Sequence, residues 1–348
     1  MPFNRIALFS GLMNKRIRII LQYLILFGLG VFFTWLSLKN LNQEKIAQIK
    51  LALANARHWL MFPVFGMLLL SHYIRALRWK LLIEPMGYNP TSWHCFFAVM
   101  IGYLTNQGVP RLGEVLKCTI LGRNENIPPE KLIGTVILER IIDAITFATI
   151  FGFTLIIQPH LLGNIREAIM SAPEDGQKGI SGKTIFLIIV GVLVVLFLAW
   201  IIIRKKTWKD LRRIFGRIWR SVVQGVLTIK FLKKRKRFIV YTVVIWSLYL
   251  FSGYLGFMAF KETSGYGIKE AFAILSTGSV GLIVSPGGIG AYAYLIQQTM
   301  IQYRLSDAIA SAFGWILWLA QTMIIVVGGL FSFVAIPVHN KRKQPEKG

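Results

Sequence analysis

The chain has 348 residues, 55% of them hydrophobic, with a mean hydropathy of +0.57 and a formal net charge of +25. That combination excludes a water-soluble domain of ordinary composition, and the gathering of Lys and Arg into particular connecting segments, with no nucleic-acid motif, points away from a nucleic-acid partner. Several apolar runs reach the roughly 20 residues that cross a hydrocarbon core of about 30 Å, so the class expected is an all-α polytopic membrane protein with about six full transmembrane helices.

In chain order, a basic N-terminus (1–16) precedes the apolar run Ile17 to Leu38. That run is too long for a signal-peptide core, and reads as an uncleaved first span with its N-terminus in the cytoplasm. From Lys39 to Arg57, Ile46, Ile49, Leu53 and Ala56 recur at helical spacing and predict an amphipathic helix at the outer interface. The second span, His58 to about Leu77, ends in Arg75, Arg78, Trp79 and Lys80, the basic and aromatic finish of a cytoplasmic boundary. Arg75 and Arg78 lie three apart on one helix face, where they either hold a phosphate or snorkel as topology anchors. A turn at Pro85-Met86-Gly87 follows.

From Thr91 to Gln107 the chain is apolar but short for a crossing, and it breaks at Gly108 and Pro110 before Lys117, Arg123 and Lys131. If basic residues mark the inside, residues 91–130 enter from the cytoplasm and return there as a re-entrant hairpin, which survives only buried in protein or lining a cavity. The third span, Leu132 to Ile157, leads to an outer loop, Gln158 to Lys183, and a fourth span, Thr184 to Ile203, brings the chain back. A long basic segment, 204–237, has Asp210 as its one acid and ends in Lys233-Lys234-Arg235-Lys236-Arg237. It reads as an amphipathic helix resting on anionic lipid of the inner leaflet. The fifth span, Phe238 to Phe260, goes out, and the last, Ala308 to Pro337, comes in to a basic tail, 339–348, on the cytoplasmic side. Parity then makes 269–304 a second hairpin, entering from outside and broken at Ser285-Pro286-Gly287-Gly288-Ile289-Gly290, the alternative with the same ends being that each broken piece is a full crossing pair. The whole of 17–338 is expected to form one domain. Paired Gly/Pro-interrupted apolar segments are a sequence pointer to an inverted-repeat transporter with its site near the midplane.

The chemistry concentrates in two charged sets. Arg111 and Glu114 follow the first break, three residues apart, and Glu139, Arg140 and Asp143 lie inside the third span. Ionisable groups at a helix centre cost at least about 2.5 to 3.5 kcal/mol each, so they face a protein interior or an aqueous cavity. Glu139 and Asp143, four apart, share a face while Arg140 points away, on the order of 10 to 17 Å below the boundary. One reading is an internal salt-bridge network. The other is a binding site in which Arg111 and Arg140, with Arg75 and Arg78, receive a phosphate while Glu114, Glu139 and Asp143 orient them or bind an ammonium headgroup. Proton-coupled chemistry stands as a third. Ser285 to Gly290 either presents freed backbone amides to an anion or serves as a tight membrane turn, with Pro286, Gly287, Gly288 and Gly290, like Gly108, Pro110 and Gly113 in the first hairpin, acting as backbone hinges.

Two cysteines, Cys95 and Cys118, form no metal or redox pair, and the five histidines lack metal-ligand spacing, so neither a metal nor a cofactor is expected. There is no GxSxG, HExxH or P-loop pattern. An enzyme is not expected, and a membrane-embedded transferase using Glu114 or Asp143 as base is the runner-up. A non-transporting scaffold or regulator is the other alternative.

Asn106 with Pro110-Arg111-Leu112-Gly113-Glu114 and Lys117, then Glu139-Arg140-Ile141-Ile142-Asp143, then Pro286-Gly287-Gly288-Ile289-Gly290 together resemble the transmembrane, flippase-like domain of the lysylphosphatidylglycerol synthetase family. The likeness covers nearly the whole chain. It implies a bacterial inner-membrane protein that moves an aminoacylated or related polar lipid, a phospholipid or polyprenyl-linked lipid, between leaflets, with the charged motif residues and Asn106 at the substrate. Larger family members carry a soluble aminoacyl-transferase domain, and with none following the last span no lipid synthesis is expected. Many relatives follow the glycine-rich motif with an Arg-Glu pair where this chain has Tyr292 and Ala293, a departure that bears on headgroup contact and ion coupling. Assembly into oligomers is left open.

Overall fold

The computed structural model describes residues 15–39, 41–159, 232 and 234–343. The expected outer loop, fourth span and nearly all of the basic segment with its anionic-lipid contact lie outside the described residues. Among the described residues every regular element is helical: α1 Lys15–Leu38, α2 Gln43–Ala54, α3 Met61–Ile83, α4 Ser92–Gly108, α5 Leu112–Glu125, α6 Pro129–Ile157, α7 Arg235–Ala259, α8 Ile268–Val284, α9 Ala291–Gln302 and α10 Asp307–Lys343. Four stretches among them are long and apolar enough to cross a membrane: His58–Met86, Pro129–Ile157, Arg235–Ala259 and Asp307–Asn340. α10 exposes Leu319, Met323, Val327, Phe331 and Val334 along one face. In water that stripe would be an aggregation surface, and in hydrocarbon it is ordinary. The chain is an all-helical polytopic membrane protein.

The chain divides into two compact units, 1–134 with 240–348, and 135–239. In the first unit α10 is the spine, packed against α2, α3, α4 and α9. Its 37 residues make a rod of about 55 Å at 1.5 Å per residue. Two helical hairpins lie along it. In one, α4 folds back on α5, and in the other α8 folds back on α9.

Each hairpin is held by glycine. A methyl group at Gly113 would sit 1.8 Å from the Gly102 carbonyl oxygen, so α4 and α5 touch backbone to backbone. A methyl group at Gly281 would sit 2.5 Å from Tyr292 Cα, so α8 also meets the backbone of α9. The breaks follow from backbone chemistry. Val109 leaves the helix in extended conformation and Arg111 adopts φ 70°. Gly287, Gly288 and Gly290 all have positive φ, where a Cβ is strained.

Several boundaries differ from the sequence expectation. The second span does not stop near Leu77: α3 runs to Ile83, with Trp79, Leu82 and Ile83 buried. Arg75 and Arg78, taken as a boundary finish, are buried inside protein, so their charges do not end the helix. The amphipathic 39–57 stretch forms the shorter α2, started by the Asn42 side chain, which accepts the Lys45 amide at 2.9 Å. The fifth span begins three residues early, at Arg235, and the last continues through Pro337 to Lys343.

Candidate functional site

The two hairpins are based at opposite ends of α10. At the first hairpin's base, Asn340 of α10 donates to Asn124 Oδ1 at the end of α5, 2.6 Å away. At the second, Gln297 of α9 donates to Asp307 Oδ1 at the start of α10, 2.8 Å away. Between those ends the broken tips meet. A methyl group at Gly287 would fall 3.4 Å from Gln107 Cα and collide with the Gln107 side chain, and Trp318 of α10 donates its indole N–H to the Gly287 carbonyl at 2.9 Å. Gly328 and Gly329 let α10 approach Met100 and Leu104 just before the first tip. α1 closes on the second tip, where a methyl group at Gly290 would meet the Thr34 amide at 2.5 Å. Gly30 and Gly290 thus allow a fit that side chains would block.

At the first tip, Asn106 is a structural anchor: its Oδ1 accepts the Gly113 amide at 2.9 Å, spanning the break to satisfy one of the open amides at the start of α5. Arg111 is the N-cap of α5 in left-handed conformation, exposed, with no side-chain cap bond of its own. Three residues apart in sequence, the two take different places: the left-handed φ puts Arg111 outside the helix while Glu114, half-buried, sits in the first turn, where the helix dipole favours an anion. Gly108 is exposed and Pro110 half-buried beside them. The second tip closes on itself, Ser285 donating its hydroxyl to the Ile289 carbonyl at 2.9 Å, with Gly288 and Gly290 buried.

Arg75 and Arg78 form with His72 a buried polar stripe on α3 at three-residue intervals. Arg78 donates to Thr242 Oγ1 on α7 at 3.3 Å, and His72 packs on the Tyr103 ring with centroids 5.1 Å apart. Lys117, also buried, lies over the Trp79 ring, 4.5 Å from its centroid, so the aromatic face compensates part of its lost hydration. The sequence pattern of a basic and aromatic finish therefore marks an interior seam of α3, α4, α5 and α7.

In the second unit, Glu139 is fully buried on the same face of α6 as Thr135 and Ile142. Asp143, one turn on, and Arg140 are half-buried. The shared face of Glu139 and Asp143 is the one expected from their spacing. The structure thus gathers Asn106, Arg111, Glu114, Pro286 and the tip glycines in one unit, with Arg75 and Arg78 on the seam of that unit, and holds Glu139, Arg140 and Asp143 in the other. Among the described residues no group of three His, Cys, Asp or Glu side chains could hold a metal ion.

Sequence reasoning missed Gln107, whose only signal was its place beside Gly108. It also missed His94 and Glu125, 31 residues apart in the chain, where α4 begins and α5 ends.

No solved structure matches the chain. The UPF0104 membrane protein MJ1595 of Methanocaldococcus jannaschii is similar, at 26% identity over 126 residues, which cover 35% of this chain and 37% of that protein. The match thus spans little more than a third of the relative's length. The model of the family described as the lysylphosphatidylglycerol synthase TM region matches residues 19–329, nearly all of the described spans and both hairpins, and the chain belongs to that family.

Proposed function

We propose that the protein carries a phosphate-bearing polar lipid across the bilayer, without chemical change, along a path that opens between the two hairpin tips. The observation that carries this is the meeting of the tips, Gln107 against Gly287, with the hairpin bases at opposite ends of α10. The hairpin arms have 17, 14, 17 and 12 residues. At about 18 to 26 Å each they fall short of a hydrocarbon core of about 30 Å, which supports re-entrant insertion from the two faces and not two crossings each. Irregular backbone at that depth is tolerated where it is buried or lines a wet cavity, and exposed Arg111 is positioned to offer a planar fork to a phosphate there. Asn106 serves this site indirectly, by holding the start of α5. Glu139, Arg140 and Asp143, within their own unit, are proposed as further substrate-binding residues. The membrane is expected to be a plasma membrane with both termini inside.

The test is a translocation assay in proteoliposomes with fluorescent phospholipids, quenched from outside. Wild type is expected to expose inner-leaflet label, and Arg111→Ala and Glu139→Ala are each expected to slow this at least about tenfold, the loss of roughly one charge-assisted contact, while keeping a folded protein. No movement of any phospholipid or polyprenyl phosphate by folded wild type would favour the scaffold reading, and release of a modified lipid from a labelled donor would favour the transferase.

A further inference from the structure

A cluster of titratable groups sits far from the tips, at the base of the first hairpin. Glu125, in the last turn of α5, accepts the Thr91 amide at 2.8 Å, and the same oxygen lies 2.5 Å from His94 Nδ1 at the start of α4. The His94 ring is 2% exposed and stands edge-on to the ring of His339 on α10, with centroids 4.9 Å apart. The Asn340 to Asn124 bond seals the same corner.

The protons can be placed by chemistry. Burial pushes the Glu125 carboxyl up, but the Thr91 amide, His94 and the Thr91 side chain together outweigh it and hold the group below the usual carboxylate range. It is therefore an anion and can only accept, so Nδ1 of His94 carries the hydrogen. In a neutral imidazole the other nitrogen is then a bare lone pair, and His94 Nε2 is enclosed with no hydrogen-bond partner. A buried lone pair, backed by a carboxylate that stabilises the cation, is a place for one proton. Lys117 on α5 and Lys80 on α3 act on neighbouring Cys95, and the packed elements also carry Arg123 near the end of α5 and Lys341, Arg342 and Lys343 after His339 on α10. The second hairpin's tip, which also packs on α4, brings none. His339 is close enough that a second proton on the pair is opposed by like charge.

We infer that Glu125, His94 and His339 form a single-proton site that ties the base of the first hairpin to the end of α10. With the proton on, His94 and Glu125 are a paired cation and anion, and the new Nε2–H turns toward the His339 ring. With it off, an enclosed anion faces a neutral ring whose lone pair is unmet, and the corner loosens. The proton state thus sets the freedom of the hairpin that carries Arg111, whatever cargo the tips handle.

Hydrogen exchange of the full chain in lipid nanodiscs tests this without any lipid movement. After correction for chemical exchange, protection of residues 92–97 and 335–340 is expected to rise about fivefold between about pH 8 and about pH 6, and the rise is expected to vanish in His94→Gln and His339→Phe. Equal protection of wild type at both pH values, or the same rise in both variants, overturns the proposal. Should His94→Gln fail to fold, His339→Phe carries the comparison, together with nitrogen-15 shifts of the wild-type histidines. Those shifts are expected to place the hydrogen of the neutral His94 ring on Nδ1 and leave Nε2 bare, and the opposite tautomer overturns the site. A chain that shows this response yet moves no lipid contradicts the transport reading and leaves the proton site standing.

Discussion

Gly287 and Asn106 show how much of the tip geometry rests on single residues. Gly287 has φ 59° and a neighbour, Gln107, that already fills the space where a Cβ would go. Gly287→Ala is therefore strained twice, by its own backbone and by the contact, and is expected to destabilise the protein by about 1–3 kcal/mol or to part the tips. A lowered midpoint in thermal unfolding in detergent checks this, and an unchanged midpoint would mean that the tips do not touch. Asn106→Ala removes the side chain that accepts the Gly113 amide and is expected to cost about 0.5–2 kcal/mol, with Asn106→Asp recovering most of it, since either side chain presents an acceptor oxygen. A binding role for Asn106 would instead leave the unfolding midpoint of Asn106→Ala at the wild-type value.

Among the elements, the breaks were legible and the contacts were not. Gly108 with Pro110, and Ser285 to Gly290, cannot continue an apolar helix, so two interrupted hairpins follow from local chemistry. The end of α3 was misread because Arg75 and Arg78 beside Trp79 look like an interfacial finish. Only tertiary packing, which buries both side chains and brings Thr242 from a distant segment onto Arg78, shows them to be interior. Gln107 bears no sequence mark of its partner, Gly287, 180 positions on. The base of the second hairpin gives a graded test of packing against surface charge. Lys45 and Asp307 pair at 2.6 Å but each is about a third exposed, so Lys45→Ala is expected to cost at most about 1 kcal/mol. Buried Gln297 bridges Asp307 and Ser37, accepting from the latter at 2.7 Å, and Gln297→Ala strips both of a partner at an expected cost of about 1–3 kcal/mol. Chemical unfolding that ranked Lys45→Ala as the worse of the two would contradict this assignment.

For the whole molecule, the account depends on hairpins based at opposite ends of one helix. Composition and the positive-inside rule gave the membrane class and the parity, but parity alone leaves the depth of each hairpin open, and it is the arm lengths and the tip contact that argue for half-crossings. Both native cysteines are buried, which leaves a background suited to added reporter thiols. Asn126 ends α5 at the first base, and Arg304 follows α9 at the second. The most direct measurement is labelling of Asn126→Cys and Arg304→Cys with a membrane-impermeant maleimide in vesicles of known orientation. Asn126→Cys is expected to react only from the cytoplasmic side and Arg304→Cys only from the outer side, whereas reaction of both from one side would contradict opposed hairpins and the transport path built on them.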